Sequence, residues 1–234
     1  MPGSLSILKI VLALAVPLFV VCASVTWATN DLGLYGRGFD KYHIESTTGI
    51  ERKDLMDTAA KIRGYFNSRH SNLELRVPIY GQEQSLFSKR EIDHMEDVKG
   101  LIWGVYSIAG ISAMLLLSIP IVALTWKGVN ILPQLAVSIL WGSGLTISLI
   151  IGMGIFVFAA FDQAFLLFHR VSFANEFWQL NPRHHYLVRM FPEGFWFDAA
   201  LFVGAVSIGF SLVLAIGCAS YLITHYRRQP GKPD

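Results

Sequence analysis

Four long runs of apolar residues divide the chain, and each run has the length of a membrane-crossing helix. They cover residues 5–28, 101–126, 131–161 and 199–224. A helix needs about 20 residues to cross a hydrocarbon core of about 30 Å, whereas helices buried in water-soluble proteins are roughly half as long. The pattern therefore predicts an α-helical polytopic membrane protein with four transmembrane helices.

Polar segments of different length separate and follow these runs. The predicted segments are transmembrane helices at 1–28, 89–126, 131–161 and 199–225, a small extracytoplasmic α+β cap at 29–88, an aromatic interfacial outer loop at 162–198, and a cytoplasmic tail at 226–234. We expect the first helix to be retained, because its apolar part is longer than the 7–15 residues of a signal peptide.

The cap is too long to be a structureless connection. In ERKDLMDTAAKIRGYFN (51–67), apolar residues recur every three or four positions, which predicts a helix. LELRVPIYG (73–81) alternates apolar and polar residues, which predicts a strand. We expect DKYHIESTT (40–48) to be the partner of that strand.

A dense cluster of charge lies directly before the second apolar run. Residues 89–99 read KREIDHMEDVK, and no Pro or Gly interrupts them. Ser88 followed three residues later by Glu91 has the spacing of a capping box, which marks the start of a helix. The pattern predicts one helix from Lys89 through the apolar run, with its first three turns above the hydrocarbon.

Composition and charge narrow the function classes. Hydrophobic residues make up 53% of the chain and charged residues 15%, and the net charge of +2 gives no basis for a nucleic-acid partner. Cys22 and Cys218 lie inside apolar runs, where we expect them to pack as small apolar side chains and not to form a disulfide. Nothing in the sequence fixes the oligomeric state, and a monomer is plausible.

Positive charge predicts the orientation in the membrane. Arg227, Arg228 and Lys232 follow the last apolar run, a position that is usually cytoplasmic. The long first loop is expected to cross regardless of its charge, while the three arginines of residues 162–198 count against this orientation. We expect both termini in the cytoplasm and the two large loops outside.

The candidate chemistry lies outside the centres of the apolar runs. Those centres contain no Asp, Glu, Lys, Arg or His, which argues against a proton-coupled transporter or pump. On a helix, His94 shares a face with Arg90 and Asp97, and a carboxylate three residues away can orient an imidazole and stabilise its charged form. A solvated, salt-bridged helix end is the competing interpretation.

His169 follows the third apolar run at a depth comparable to that of His94. Asp162 and Glu176 lie seven residues before and after it, on the same face of a continued helix. Two histidines at matching depth raise the enzymatic interpretation to parity with the structural one. Two alternatives stay open: a non-catalytic envelope scaffold, and a metal-dependent membrane hydrolase that also uses His184 and His185, although no zinc motif is present.

Two separated blocks carry a resemblance to a known family. LFSKREIDHMEDVKGL contains an R-E-x-x-H-M-x-D-V pattern, and FHRVSFANEFWQLNP followed by MFPEGFWFD contains F-H, W-x-L-x-P and F-P-E-x-F-W-x-D. In these blocks and in its topology, the chain resembles the lipoprotein intramolecular transacylases, bacterial four-span membrane proteins that make lyso-form lipoproteins.

The resemblance implies transfer of the sn-2 acyl chain of a diacylglyceryl lipoprotein to the α-amine of its N-terminal cysteine. It implies an enzyme of the cell membrane whose active site faces outward, with membrane lipid around it and with no cofactor or metal. The family's paired histidines fall on His94 and His169, which we expect to act as base and acid in either order. Asp97 is expected to orient His94, and Arg90 or Arg170 to stabilise the oxyanion. The residues expected to face the substrate are Glu91, Phe168, Phe173, Glu176, Trp178 and Glu193.

Overall fold

The computed structural model describes residues 2–70 and 73–228 of the chain and is mostly helical. In chain order the elements are α1 (Pro2–Asn30), α2 (Leu32–Lys41), α3 (Ile44–Thr48), α4 (Arg52–Phe66), β1 (Arg76–Ile79), β2 (Gln82–Ser85), α5 (Lys89–Lys127), a 3-10 turn (Gly128–Ile131), α6 (Leu132–Ala159), α7 (Phe161–Ser172), α8 (Tyr186–Met190) and α9 (Glu193–Arg227). The part of the predicted cytoplasmic tail after residue 228, including Lys232, lies outside the described residues.

Within residues 2–70 and 73–228, three helical stretches are long and apolar enough to cross a membrane: Leu5–Asn30, Lys89–Ala159 and Glu193–Arg227. The structure thus has three candidate spans where the sequence predicted four. The difference arises because Gly128–Ile131 form a 3-10 turn, which joins α5 to α6 without a non-helical residue between them. The second and third apolar runs therefore lie in one stretch of 71 residues.

The described chain divides into two compact units. The first unit is formed by the chain up to Val25, by residues 105–155 and by the chain from Val203 onward. Its buried apolar core consists of Leu12, Ile119, Ala123, Ile131 and Leu135. Many other large apolar side chains of its helices are exposed, as expected for helices whose outer surface meets lipid. Cys22 lies on α1 and Cys218 on α9, and both side chains are partly buried.

Two helices of the first unit approach closely at one glycine. A Cβ placed on Gly142 of α6 would lie 2.5 Å from the Ala13 carbonyl oxygen and 2.7 Å from Cβ of Val16 on α1. Small residues permit such close backbone contact between helices in lipid, where there is no hydrophobic effect to bring helices together.

The second unit is formed by residues 26–104 and 156–202. It contains α2, α3, α4, the two strands, the first turns of α5, α7 and α8, and it has the larger apolar core. The most completely buried side chains of this core are Phe39, Ile44, Ile50, Leu55, Ile62, Ile79, Leu86 and Met190. The helix predicted for residues 51–67 is present as α4, and its apolar positions face this core.

The predicted pairing of the strand is wrong. β1 pairs with β2 in an antiparallel hairpin, with Val77 opposite Gln84, while residues 40–48 form the end of α2 and the short helix α3. The hairpin turn has positive φ at Tyr80 and Gly81, the conformation of a tight turn whose twist matches the strands it joins. All four residues of β2 are exposed, so its sequence lacks the alternation that would have marked it.

Candidate functional site

The charged beginning of α5 is fixed by a buried carboxylate. Glu91 is only 1% exposed. Its Oε2 accepts the backbone N–H of Ser88 at 2.7 Å, as a capping box requires, and its Oε1 accepts the backbone N–H of Leu187 on α8, also at 2.7 Å. Glu91 therefore connects α8 to the first turn of α5, three residues before His94.

His169 lies on the amphipathic helix α7 and is the buried residue of that helix. Its Nδ1 lies 2.7 Å from the carbonyl oxygen of Phe165, one turn earlier. A carbonyl only accepts hydrogen bonds, so this contact requires a proton on Nδ1. The Nε2 atom of a neutral His169 is then the basic nitrogen.

The structure brings the two histidines together from helices 75 residues apart in sequence. Their ring centroids lie 6.1 Å apart with an interplanar angle of 33°, and His94 and His169 are 7% and 8% exposed. Phe173 contacts both rings: its centroid lies 5.1 Å from that of His94, edge to face, and 5.7 Å from that of His169. Two imidazoles are thus paired in a largely apolar enclosure.

Aromatic rings complete the surroundings of His169. The ring centroid of Phe165 lies 4.3 Å away, that of Trp178 lies 5.1 Å away, and that of Phe168 lies 5.3 Å away. Phe168 also meets Phe173 edge to face, and its outer part is exposed. The expected aromatic residues of the outer loop therefore contact the imidazole pair directly.

Burial keeps both imidazoles neutral. The two histidines lie outside the apolar runs: His94 is in the charged turns before Leu101, and His169 is in α7. Desolvation, and then the positive charge that His169 would carry, lower the pKa of His94 from 6.5 to about 4, although the Asp97 carboxylate acts in the opposite direction. Desolvation also lowers the pKa of His169, against the bond to the Phe165 carbonyl, which raises it.

Asp97 contacts the outer segment that follows α7. Its Oδ2 accepts a hydrogen bond from Nδ2 of Asn175 at 2.8 Å. The buried Nδ1 of His94 has no hydrogen-bond partner among the described residues. Asp97 thus acts on His94 through its charge, while its hydrogen bond is to Asn175.

The two predicted arginines occupy different positions. Arg90 donates from Nη2 to the backbone carbonyl of Glu176, so it ties α5 to the same outer segment as Asp97 does. Arg170 is exposed, next to His169 on α7. The side chain of Glu176 is also exposed.

Glu193 begins α9 and is exposed. Burial of part of its carboxyl group, together with the charge of Asp162 and a hydrogen bond to that residue, raises the pKa of Glu193. Among the described residues, no group of three or more His, Cys, Asp and Glu side chains is arranged to hold a metal ion. Of the two histidines considered as metal ligands, His184 is exposed, and the Nδ1 atom of His185 contacts the backbone of Asn181.

Two residues of the site were not expected from sequence. Phe165 orients His169 through its carbonyl, and its position one helical turn before the histidine was a usable signal. Asn175 holds Asp97, and its spacing before Phe177 fits an Asx turn, which gives the local conformation but not the partner.

This arrangement suits proton transfer in a water-poor site. Two neutral imidazoles lie close together, one with a defined tautomer, and cationic and acidic side chains lie around them. General acid–base catalysis requires this combination of side chains, and it contributes roughly 10²–10⁴ in rate.

Comparison with known proteins identifies the same architecture elsewhere. The membrane-integral lipoprotein intramolecular transacylase Lit from Bacillus cereus has a solved structure that matches with a TM-score of 0.82 and 20% identity, over 98% of this chain and 100% of that chain. A structure of the same protein with one histidine replaced by alanine matches with a TM-score of 0.77 and 20% identity, over 97% of this chain and 98% of that one. At this identity the likeness establishes the shared fold.

Sequence comparison gives a nearer relative and the family. An uncharacterised protein of Aquifex aeolicus (strain VF5) is 30% identical over 129 residues, which are 55% of this chain and 54% of that protein, so the match spans about half of the relative's length. The family model described as lipoprotein intramolecular transacylase Lit matches residues 10–196. Because that match covers most of the chain, the protein belongs to the lipoprotein intramolecular transacylase (Lit) family, as its two sequence motifs predicted.

Proposed function

We propose that this protein catalyses intramolecular O-to-N acyl transfer on diacylglyceryl lipoproteins. The acyl chain at the glyceryl sn-2 ester moves to the α-amine of the N-terminal cysteine of the same molecule, which gives a lyso-form lipoprotein. The observation that carries the proposal is the enclosed pair of His94 and His169, with ring centroids 6.1 Å apart. Family membership supports lipoproteins as the substrate class.

The reaction balances within one substrate molecule. The amine nitrogen attacks the ester carbonyl carbon, a C–N bond forms, and the bond from that carbon to the glyceryl oxygen breaks. The proton lost by the amine ends on the released sn-2 oxygen. Because amine and ester belong to one molecule, the enzyme mainly has to hold them close and move this proton.

His169 is the base in this mechanism. Its Nδ1–H is committed to the Phe165 carbonyl, so Nε2 is free to take the proton from the attacking amine. Its lowered pKa keeps it neutral at pH 7, as a base must be at the start of the reaction. The imidazolium that forms then returns the proton to the leaving oxygen.

The pair was expected to divide the base and acid roles; in this mechanism His169 has both, and His94 stabilises the oxygen that becomes negative. With a pKa of about 4 it is a neutral imidazole at pH 7, and a neutral imidazole N–H can donate a hydrogen bond to an oxyanion. The charge of Asp97 opposes part of the effect of burial on the pKa of this ring. Arg90 and Arg170 add positive charge at the edge of the site, and we expect each to contribute less than either histidine.

The surrounding side chains bind the substrate in this proposal. Phe168, Phe173 and Trp178 contact its acyl and glyceryl groups. The exposed carboxylates of Glu176 and Glu193 attract its protonated amine, which releases one proton to solvent before the neutral amine attacks. Glu91 contributes indirectly by fixing the start of α5.

We also propose four membrane crossings, with α5 and α6 forming two of them on either side of the 3-10 turn. Both termini are then cytoplasmic, with Arg227 and Arg228 at the end of the last helix. His94 precedes the second apolar run by seven residues and His169 follows the third by eight. The site thus lies at the extracytoplasmic face of the cell membrane, where the ester and amine of a lipid-anchored substrate meet water.

Tandem mass spectrometry of a reporter lipoprotein tests the proposal. The reporter is isolated from cells without other N-acylating enzymes, with and without this protein. Intramolecular transfer leaves the intact mass unchanged, so fragmentation must locate the acyl chain on the α-amine. We expect a blocked amine and a monoacyl-glyceryl thioether with the wild-type protein, and a loss of roughly 10²–10⁴ in rate for His94→Ala and His169→Ala.

His184→Ala is the matched control, because His184 is an exposed histidine of the same outer segment. It should leave the reaction unchanged. A free amine in all samples, with the protein accumulated in the membrane, would contradict the proposal and favour a non-catalytic scaffold.

A further inference from the structure

Asn175 makes three hydrogen bonds in a segment without helix or strand. Its Nδ2 donates to Oδ2 of Asp97 at 2.8 Å, its Oδ1 accepts the backbone N–H of Phe177 at 3.0 Å, and its backbone carbonyl accepts Nε1–H of Trp178 at 2.9 Å. One residue therefore both shapes the segment between α7 and α8 and connects it to α5.

The segment carries two of the rings that cover the imidazoles. Phe173 lies two residues before Asn175 and contacts both histidines, and Trp178 lies three residues after it and lies against His169. The backbone N–H of Phe173 bonds to the His169 carbonyl at the end of α7. Between Phe173 and Trp178 there is no helix or strand, so the bonds of Asn175 fix this segment, and Trp178 in particular, relative to α5.

The Asp97–Asn175 bond is the side-chain link between α5 and the centre of this segment. Arg90 makes a second link nearby, from its guanidinium to the backbone carbonyl of Glu176. Both links start from the face of α5 that carries His94, so they bring the aromatic cover and the first histidine into one arrangement.

We propose that Asn175 is a positioning residue that holds the Phe173–Trp178 segment over the two imidazoles through its bond to Asp97. The proposal rests on the acyl-transfer function given above and extends it to a residue outside the histidine pair. The cover excludes water from the place where the amine attacks the ester, so the free imidazole nitrogens meet substrate and not solvent.

Exchanging the two side chains tests the proposal with the full-length protein in membranes. Asn175→Asp places two carboxylates at hydrogen-bond distance, and we expect the rate of acyl transfer to fall by more than about tenfold. Asp97→Asn retains a hydrogen bond between two neutral side-chain amides, so we expect the rate to fall by only about threefold. The double variant, with both substitutions, restores a carboxylate–amide pair and should return to within about threefold of the wild-type rate.

Asn181→Asp is the matched control. Asn181 is an exposed asparagine of the same outer segment, and its Oδ1 likewise accepts a backbone N–H two residues on, which an Asp can also do. It adds the same charge and should leave the rate unchanged. Failure of the double variant to exceed Asn175→Asp, with equal amounts of protein in the membrane, would overturn the proposal. It would show that Asp97 acts on His94 by charge alone.

A second measurement does not depend on catalysis. NMR titration of 13C-labelled histidines, with the His169 signal assigned from His169→Ala, reports the pKa of His169 in Asn175→Ala. His94 and Asp97, the titratable groups that act on the pair, are the same in this variant, so the intended change is to the cover. We expect the pKa to rise toward its ordinary value as water enters. An unchanged pKa would overturn the proposed cover, whereas a shifted pKa in a protein without acyl-transfer activity would refute the function and not the positioning.

Discussion

The two compact units bury different kinds of polar group. In the described part of the first unit the buried polar side chains are hydroxyls, and five of them donate to a carbonyl one turn earlier in their own helix: Ser24, Ser112, Ser138, Ser143 and Thr146. In the second unit they include a carboxylate and two imidazoles. The Glu91 carboxylate is bonded to another element, and the two imidazoles meet each other across helices.

This difference separates two ways of making a buried polar group tolerable. A hydroxyl that donates to its own helix needs no hydrogen-bond partner on another helix, so the packing between helices depends on the shapes of the side chains. A buried charge needs partners from elsewhere, and it therefore fixes the elements that supply them. The second unit is constrained in this way at the place where the candidate chemistry lies.

Removing the carboxylate of Glu91 should be the most damaging change to folding. Glu91→Ala leaves the backbone N–H groups of Ser88 and Leu187 without their acceptor. We expect a loss of roughly 2–5 kcal/mol in the free energy of unfolding, measured by denaturation in detergent micelles. Glu96→Ala, an exposed glutamate on the same helix, is the control and should change stability by less than about 0.5 kcal/mol.

Acidification should act on the second unit through His94. The pKa of His94 is about 4 in the folded protein and ordinarily 6.5. Between these pH values His94 is therefore protonated in the unfolded chain but neutral in the folded protein. The contribution of His94 to the free energy of unfolding is fully present above pH 6.5 and is lost as the pH falls toward 4, by up to about 3 kcal/mol. The change in melting temperature with pH measures it.

His94→Gln should flatten that dependence on pH, and His184→Gln, at an exposed site, should not. An equally steep loss in His94→Gln would show that other groups carry the acid sensitivity.

In the first unit, shape should matter more than polarity. Gly142→Ala places a methyl group against the backbone of α1, and we expect a loss of about 1–3 kcal/mol in the free energy of unfolding. Gly144 lies two residues after Gly142 on the same helix, and an added Cβ there would have nothing within 4 Å. Gly144→Ala is thus a matched control that should be neutral or slightly stabilising.

The smallest effect should come from a buried hydroxyl of the first unit. Ser143→Ala removes both the hydroxyl donor and its need for an acceptor, and the Ile139 carbonyl keeps its helical bond. We expect less than about 1 kcal/mol by the same unfolding measurement. A loss as large as that of Glu91→Ala would end the distinction between the units.

Sequence alone predicted those parts of the protein that follow from periodicity and local chemistry. Apolar length indicated the long apolar helices, although it predicted four spans where the described part of the chain has three candidate stretches. Helical spacing indicated α4, and the Ser88–Glu91 spacing marked the start of α5. The histidine pair was predicted from matching position at helix ends and from the family motifs. Except for the histidine pair, which needed two helix ends and two motifs, each of these signals lies within a single element and could be recognised there.

The remaining features depend on partners that are distant in sequence. All four residues of β2 are exposed, so its sequence has no alternation of apolar and polar residues, and its pairing with β1 was not predicted. The second oxygen of Glu91 binds a residue 96 positions away, and Asp97 binds one 78 positions away. A single polar residue in a loop does not specify which distant group it will meet, so these bonds required the structure.

The two hydrogen bonds of Glu91 become available at different times during synthesis. The bond to Ser88 can form as soon as the start of α5 has left the ribosome, but the bond to Leu187 must wait until two further apolar runs have been made. Until then the nascent chain holds a half-satisfied carboxylate beside His94. The order of synthesis therefore delays completion of the site until Leu187 has been made. A product that is truncated or stalled before that residue contains His94 but lacks the hydrogen bond between Glu91 and α8.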